Sequence, residues 1–85
     1  MQMKSRMETK LTAEFQPEHL EVIDESEAHR GHGGYQEGGE THFRVIMRAA
    51  SLKGKSRVAQ QRAVYACVKV ELEERVHALA LEIST

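Results

Sequence analysis

The sequence predicts an α+β domain in which helices cover one face of a three-stranded mixed sheet. Two observations lead to this fold class. Four apolar residues recur at helical spacing near the N-terminus, and three later segments have the composition and alternation of strands. A second helical segment separates the last two strands. A chain of 85 residues has room for one compact core, so we expect residues 1–85 to form a single domain ordered helix, strand, strand, helix, strand.

The first helix is predicted over residues 4–16. Met3, Met7, Leu11 and Phe15 recur every four residues among charged neighbours, which places one apolar stripe along a helix. Pro17 then ends the helix, because proline has no amide hydrogen and its ring clashes with the preceding turn.

The first two strands are predicted over residues 19–24 and 41–49. The earlier segment is rich in branched residues, and the later one alternates, with Phe43, Val45 and Met47 on one face. His42 falls on the opposite face, where we expect it to lie on the open surface of the sheet. The two strands should be antiparallel, because one connection joins them directly.

The second helix is predicted to begin after Ser56, whose hydroxyl suits an N-cap, and to end near Glu74. A break near Gln60 is compatible with the pattern, and Cys67 in the middle of the helix is expected to pack in the core. The residues expected to face inward are Val58, Tyr65, Val68 and Leu72.

The last strand is predicted over residues 76–83, with Leu79, Leu81 and Ile83 on one face. Because it follows the second strand through a helical crossover, it should lie parallel to that strand. Both helices should therefore pack on the same face of the sheet.

Residues 25–40 form a glycine-rich segment that also contains His29 and His32. It cannot be a regular helix or strand, and we expect a long loop. Loops of this length are uncommon in small domains unless they bind something, although an ordinary hairpin connection remains the alternative. The segment contains five of the six glycines: Gly31, Gly33, Gly34, Gly38 and Gly39.

The net charge of −1 conceals an uneven distribution. Residues 1–40 are acidic, whereas residues 41–70 contain no Asp or Glu but several Lys and Arg. Such a stretch suits an anionic partner, and an ordinary solvated surface explains it equally well. The lone Cys67 excludes a disulfide within the chain, and no apolar run is long enough to span a bilayer, so we expect a cytoplasmic protein without membrane contact.

Four short motifs, in order along nearly the whole chain, resemble the BolA family. They are Asp24-Glu25-Ser26, Glu40-Thr41-His42-Phe43, Arg62-Ala63-Val64-Tyr65 and Val76-His77-Ala78-Leu79. The resemblance implies a fold related to the class II KH domain. The sequence departs from the family at Gln61, where many members have a histidine before the arginine of the third motif.

The resemblance also implies a function without catalysis, as the partner of a monothiol glutaredoxin around a shared two-iron two-sulfur cluster. Family members offer a histidine that corresponds to His77 and a second ligand from the loop, which His29 matches best, with His32 as the alternative. Glutaredoxin and its bound glutathione would supply the thiolates. Taken alone, His77 is more readily interpreted as a structural residue at a strand end, and the family resemblance is what favours a ligand. We expect the free protein to be a monomer or weak dimer.

A nucleic-acid-binding transcriptional regulator is the second hypothesis. It rests on the KH-like fold and on Lys53, Lys55 and Arg57 within the basic stretch. Against it, the turn at residues 53–56 has one glycine, where a KH domain has a Gly-x-x-Gly loop. An enzyme is the least supported reading, because no nucleophile and base occur at a telling spacing.

Overall fold

The computed structural model describes residues 3–26 and 41–85. Its helices are α1 (Met3–Phe15), α2 (Arg57–Cys67) and α3 (Lys69–Glu74), and its strands are β1 (His19–Asp24), β2 (His42–Arg48) and β3 (Ala78–Ser84). A short 3-10 helix, Ala50–Leu52, follows β2. None of the helices in these ranges is long and apolar enough to cross a membrane.

The apolar stripe of α1 is buried as predicted. Met3, Met7 and Leu11 are fully buried, and Phe15 is 6% exposed. Full burial of one such side chain stabilises the fold by about 1.5–3 kcal/mol relative to an exposed one. This single stripe therefore fixes which side of α1 faces the sheet.

The three strands form one mixed sheet in the order β1-β2-β3. β2 is central: it is antiparallel to β1, with Val22 opposite Val45, and parallel to β3, with Val45 opposite Leu81. Directly opposed residues share a face, so these three side chains lie together on the face that the helices cover. The predicted strand directions are confirmed.

The second predicted helix is two helices, because the chain breaks at Val68 and not near Gln60. Val68 has φ −109° and ψ 24°, which ends α2 before α3 begins. Ser56 caps α2 as predicted, its Oγ accepting a hydrogen bond from the Ala59 amide at 3.1 Å.

Two of the residues expected to face inward from α2 are exposed. Val58 is 54% exposed and Tyr65 39% exposed, whereas Val64 and Val68 are fully buried. Val64 and Val68 are four residues apart and so lie on one side of the helix, and Val58 and Tyr65 fall outside that stripe. Of the other predicted inward residues, Leu72 is half-buried and packs against the core.

Candidate functional site

His77 lies immediately before β3, and its side chain is exposed. Its amide donates a hydrogen bond to the Thr41 carbonyl oxygen at 2.7 Å, and the Ala78 amide donates to the same oxygen at 3.2 Å. The backbone of His77 is therefore fixed against the residue that precedes β2. The backbone of His77 is thus held in place, while its exposed imidazole is accessible to a partner protein.

The other two predicted ligands, His29 and His32, lie outside the described residues. The structure does describe the residues that flank their segment on both sides, Ser26 and Thr41. The Ser26 Oγ accepts hydrogen bonds from the Thr41 amide at 2.9 Å and from the His42 amide at 3.2 Å. One buried hydroxyl thus joins the start and the end of the segment that carries both histidines.

Ser26, Thr41 and His77 form a continuous hydrogen-bonded junction, because Thr41 bonds Ser26 through its amide and His77 through its carbonyl. Ser26 and Thr41 are 1% and 0% exposed. Unpaired polar groups at such depth would be costly, so these hydrogen bonds hold the junction in one arrangement. The sequence contained a signal for it, since small hydroxyl residues flank the glycine-rich segment, but their pairing required the structure.

The prediction that His42 lies on an open sheet surface is wrong, because His42 is only 8% exposed. It is the first residue of β2, opposite Ala78, and its Nδ1 is 2.9 Å from the Thr41 Oγ1. His42 therefore lies buried beside the junction. Strand alternation did not predict this burial, because it only assigns His42 to the sheet face that the helices do not cover.

Within residues 3–26 and 41–85, no group of three or more His, Cys, Asp or Glu side chains is arranged to hold a metal ion. Cys67 is half-buried and packs against the core, as predicted. Burial raises the pKa of its thiol, which disfavours the thiolate that a metal needs. A metal centre at His77 would therefore need ligands from beyond these residues.

The three basic residues predicted to contact nucleic acid lie together at an exposed turn. Lys53 and Lys55 flank Gly54, and Arg57 is the first residue of α2. Gly54 has φ 88°, a conformation that favours glycine, so it sets the path of the turn.

This turn and His77 lie toward opposite ends of the sheet. His42 pairs with Ala78 at one end, and Arg48 pairs with Ser84 at the other, from which the chain continues to the basic turn. Ser84 is six positions after Ala78 along the strand, a distance of about 20 Å. The chain therefore has two separate candidate surfaces.

Comparison with known proteins identifies a family. The model of the family described as BolA-like protein matches residues 11–85. A protein of Sinorhizobium sp, encoded in the cobS 5′ region, is 45% identical over 83 residues, which are 96% of this chain and 89% of that protein. The DNA-binding transcriptional regulator BolA of Escherichia coli is 39% identical over 85 residues, 100% of this chain and 77% of that protein.

A solved structure has the same fold. The BolA domain of SufE1 from Arabidopsis thaliana superimposes with a TM-score of 0.85 at 37% sequence identity, covering 95% of this chain and 88% of that domain. The agreement supports the arrangement of helices and sheet described above.

Proposed function

The chain belongs to the BolA-like family, and on that premise we propose that it is a non-catalytic partner of a monothiol glutaredoxin, with which it holds a two-iron two-sulfur cluster. In this proposal His77 and a histidine of the segment between Ser26 and Thr41 are the ligands from this chain. Glutaredoxin and glutathione contribute the thiolates. The complex would serve cluster assembly, cluster trafficking or iron regulation.

The observation that carries the proposal is the hydrogen-bonded junction of Ser26, Thr41 and His77. It brings the start and the end of the histidine-bearing segment to the backbone of His77. Three residues of extended chain reach about 10 Å and six reach about 20 Å. His29 is three residues from Ser26 and His32 is six, so the chain is long enough for either histidine to reach the junction, and the connection to His29 is the shorter one.

The donor chemistry fits such a cluster. Imidazole is a good ligand for iron, and histidine in place of cysteine on one iron raises the reduction potential of a two-iron two-sulfur centre. The exposed side chain of His77 is accessible to a second protein. The cluster would supply electron transfer or transferable iron and sulfide to the complex.

The test mixes the protein with a monothiol glutaredoxin, glutathione, ferrous iron and sulfide. We expect a heterodimer whose visible absorption and circular dichroism differ from those of the glutaredoxin homodimer. His77→Ala should abolish the difference, whereas His19→Ala, which alters another exposed histidine at the start of β1, should preserve it.

The same assay chooses between the two loop histidines. Loss of the altered spectrum in His29→Ala but not in His32→Ala assigns His29 as the ligand, and the reverse result assigns His32. If His77→Ala, His29→Ala and His32→Ala all form a heterodimer with the same spectrum as the unaltered protein, the assignment of these histidines as ligands is wrong. No heterodimer on size-exclusion chromatography and no new spectrum would overturn the partnership itself.

A second function, DNA binding, is favoured by two observations. The Escherichia coli relative is named a DNA-binding transcriptional regulator, and Lys53, Lys55 and Arg57 are exposed around one turn. Replacing all three with Gln should weaken duplex binding and reduce the salt dependence by about one unit of slope for each phosphate that is no longer neutralised. Lys4→Gln, an exposed change on α1, is the control. Absence of binding at low salt would remove this candidate.

A further inference from the structure

A groove of about 600 Å³ runs along the outer edge of β3, with α2 on one side and, on the open face of the sheet, Ile46 of β2 and Glu82 on the other. The helix side of the groove is formed by Arg57, Gln60 and Gln61, and the strand side includes Leu81 and Ile83. β3 is an edge strand, since the sheet order is β1-β2-β3. The groove therefore runs beside strand backbone that has no neighbouring strand among the described residues.

The hydrogen bonds of β3 show which backbone groups face the groove. The Ala78 amide and the Ser84 carbonyl both bond toward the β2 side, to Thr41 and Ala49. Backbone groups alternate in direction along a strand, so the amides and carbonyls of Leu79, Leu81 and Ile83 point outward. The Leu79 carbonyl accepts a hydrogen bond from the Tyr65 hydroxyl at 3.0 Å, which confirms this direction. No residue in the described ranges bonds the outward amides and carbonyls of Leu81 and Ile83, so these groups can pair with a further strand.

The helix side of the groove is positive. Arg57 forms no ion pair with another described residue, and no Asp or Glu occurs anywhere between Thr41 and Val70. Gln60 is held in place, because its Nε2 donates to the Leu52 carbonyl at 3.1 Å and to the Lys55 carbonyl at 3.3 Å. Arg57 therefore places a positive charge on a well-anchored part of α2, next to the outer edge of β3.

We propose that this groove binds an extended acidic peptide of a partner protein, which adds as a fourth strand to the outer edge of β3. Its backbone bonds the outward groups of Leu81 and Ile83. The side chains of a strand alternate between two faces. On the α2 side, an acidic side chain of the peptide pairs with Arg57. On the open side the peptide carries apolar side chains, because an acid there would be repelled by Glu82. The matching sequence alternates acidic and apolar residues.

A second copy of this chain fits the groove less well. Edge-to-edge pairing of two β3 strands would bring two α2 helices together, each carrying Arg57 and Arg62, and like charges oppose such contact. The acid of β3, Glu82, lines the groove from the open face, but it is already bonded to Arg44 at 2.8 Å and does not offset the two arginines of each α2. An acidic peptide supplies the missing charge.

Nucleic acid also fits the groove less well. Single-stranded nucleic acid gains much of its affinity by stacking bases on aromatic rings, and the residues lining the groove include no aromatic side chain. The outward amides and carbonyls of a β-strand match another strand and do not match a phosphate backbone.

The groove is separate from the proposed cluster site. Ile83 lies near the far end of β3 from His77, about 20 Å away along the strand. Peptide binding can therefore be measured without iron or glutaredoxin, and its outcome is independent of the proposed cluster function, whereas Arg57 is shared with the DNA-binding candidate.

The experiment titrates the full chain, labelled with nitrogen-15, with an acetylated and amidated eight-residue peptide of alternating Glu and Val. We expect shifts in the amide signals of Leu81 and Ile83 and slower hydrogen exchange at both amides. A peptide of alternating Lys and Val is the control, and it should bind about tenfold more weakly. Equal binding of the two peptides, or no shift at these amides, would overturn the proposal.

Two variants locate the contact. Arg57→Gln should weaken binding of the Glu and Val peptide about three- to fivefold, the size expected of an exposed ion pair, whereas Arg62→Gln on the same helix but outside the groove should not. Ile83→Pro removes an outward amide hydrogen without removing a hydrogen bond to β2, and should weaken binding about fivefold or more. If Ile83→Pro fails to fold by circular dichroism, the hydrogen exchange of the unaltered chain decides.

Two results would assign the groove to another occupant and refute the peptide proposal. One is a ten-residue oligothymidine that shifts the same amides when the peptide does not. The other is protection of the Leu81 and Ile83 amides that grows with protein concentration in the absence of peptide, as pairing of two copies would produce.

Discussion

Two ion clusters of similar composition lie on opposite sides of the sheet. The first, which we call the Glu71 cluster, consists of Arg6 and Lys10 of α1 with Glu71 and Glu74 of α3. The second, the Arg44 cluster, joins Arg44 of β2 to Glu25 and Glu82 on the open face. Both connect residues distant in sequence by contacts of 2.7–3.0 Å, and they differ in burial.

The Glu71 carboxylate is completely buried, whereas Arg6 and Lys10 reach it from the surface with side chains 33% and 38% exposed. Lys10 Nζ donates to Glu71 Oε1 at 3.0 Å. Glu71 Oε2 lies 2.9 Å from both cations but outside hydrogen-bonding geometry, so its stabilisation is Coulombic. A buried carboxylate of this kind is tolerated only because the two cations compensate its lost hydration.

The Arg44 cluster is in contact with solvent throughout. The side chains of Arg44, Glu25 and Glu82 are 37%, 31% and 54% exposed. The guanidinium of Arg44 donates hydrogen bonds to Glu25 and Glu82, and these raise the pKa of Arg44, the bond to Glu25 having the larger effect. Exposed pairs gain little, because water and salt screen the attraction and ordering the side chains costs entropy.

The difference shows that burial, not the number of ion pairs, decides what each cluster contributes. The Glu71 cluster also bears on the proposed site. The Glu71 carbonyl accepts hydrogen bonds from the Arg75 and Val76 amides at 3.1 and 3.0 Å, directly before His77. Glu71 therefore ties α1, α3 and the approach to His77 together.

The largest effect is expected from Arg6→Met combined with Lys10→Met. This double variant leaves the Glu71 carboxylate buried without a counter-charge and should lower the free energy of unfolding by about 3 kcal/mol, the lower end for a broken buried pair. Urea unfolding followed by circular dichroism at neutral pH measures it. Lys4→Met, an exposed change on the same helix, should alter stability by less than about 0.5 kcal/mol. Equal losses in both proteins would contradict the role assigned to the cluster.

The next effect is a recovery. Adding Glu71→Met to the double variant removes the uncompensated charge and should restore at least about 1.5 kcal/mol, because apolar residues of similar size often replace a buried ion group without loss. The same urea unfolding compares the double and triple variants. A triple variant as unstable as the double one would mean that packing of the long side chains, and not charge, was lost.

A smaller effect is expected on the open face. Arg44→Met should cost less than about 1 kcal/mol, and 1 M NaCl should reduce this cost because salt screens exposed pairs. The loss in the Arg6 and Lys10 double variant should persist in the same salt. If salt reduced both losses equally, the two clusters would not differ as their burial indicates.

The smallest effect concerns pH. The hydrogen bond from Arg6 holds the pKa of the Glu74 carboxyl below its usual value. A lowered pKa in the folded state stabilises the protein above the unfolded pKa of about 4.3, and this contribution is lost as the pH falls through the folded value.

Arg6→Met should therefore raise the pKa of Glu74 toward its usual value. Lys10→Met should raise it less, because Lys10 acts on Glu74 only through the weaker Coulombic attraction. Carbon-13 nuclear magnetic resonance titration of the Glu74 carboxyl measures both. A larger shift in the Lys10 variant than in the Arg6 variant would contradict this account.

Local patterns predicted those elements in which a repeat of apolar residues decides the side that is buried. The stripe from Met3 to Phe15 and the alternation of β2 were confirmed almost to the residue. α2 was harder, because residues three and four positions before Val68 both have helical spacing: the prediction paired Val68 with Tyr65, whereas the structure buries Val64. His77 was identified by family resemblance, and its ligand role and the cytoplasmic location remain predictions.

The sequence by itself determined the fold class, the order and direction of the strands and the apolar face of α1, since these follow from spacing along the chain. Only the tertiary structure decided that Glu71, and not Glu73 or Glu74, is the buried carboxylate, and that Ser26 and Thr41 meet beside His77. Neighbouring glutamates look alike in sequence. The partners that make one of them tolerable in the core, Arg6 and Lys10, are more than 60 residues away and meet it only when α1 packs against α3.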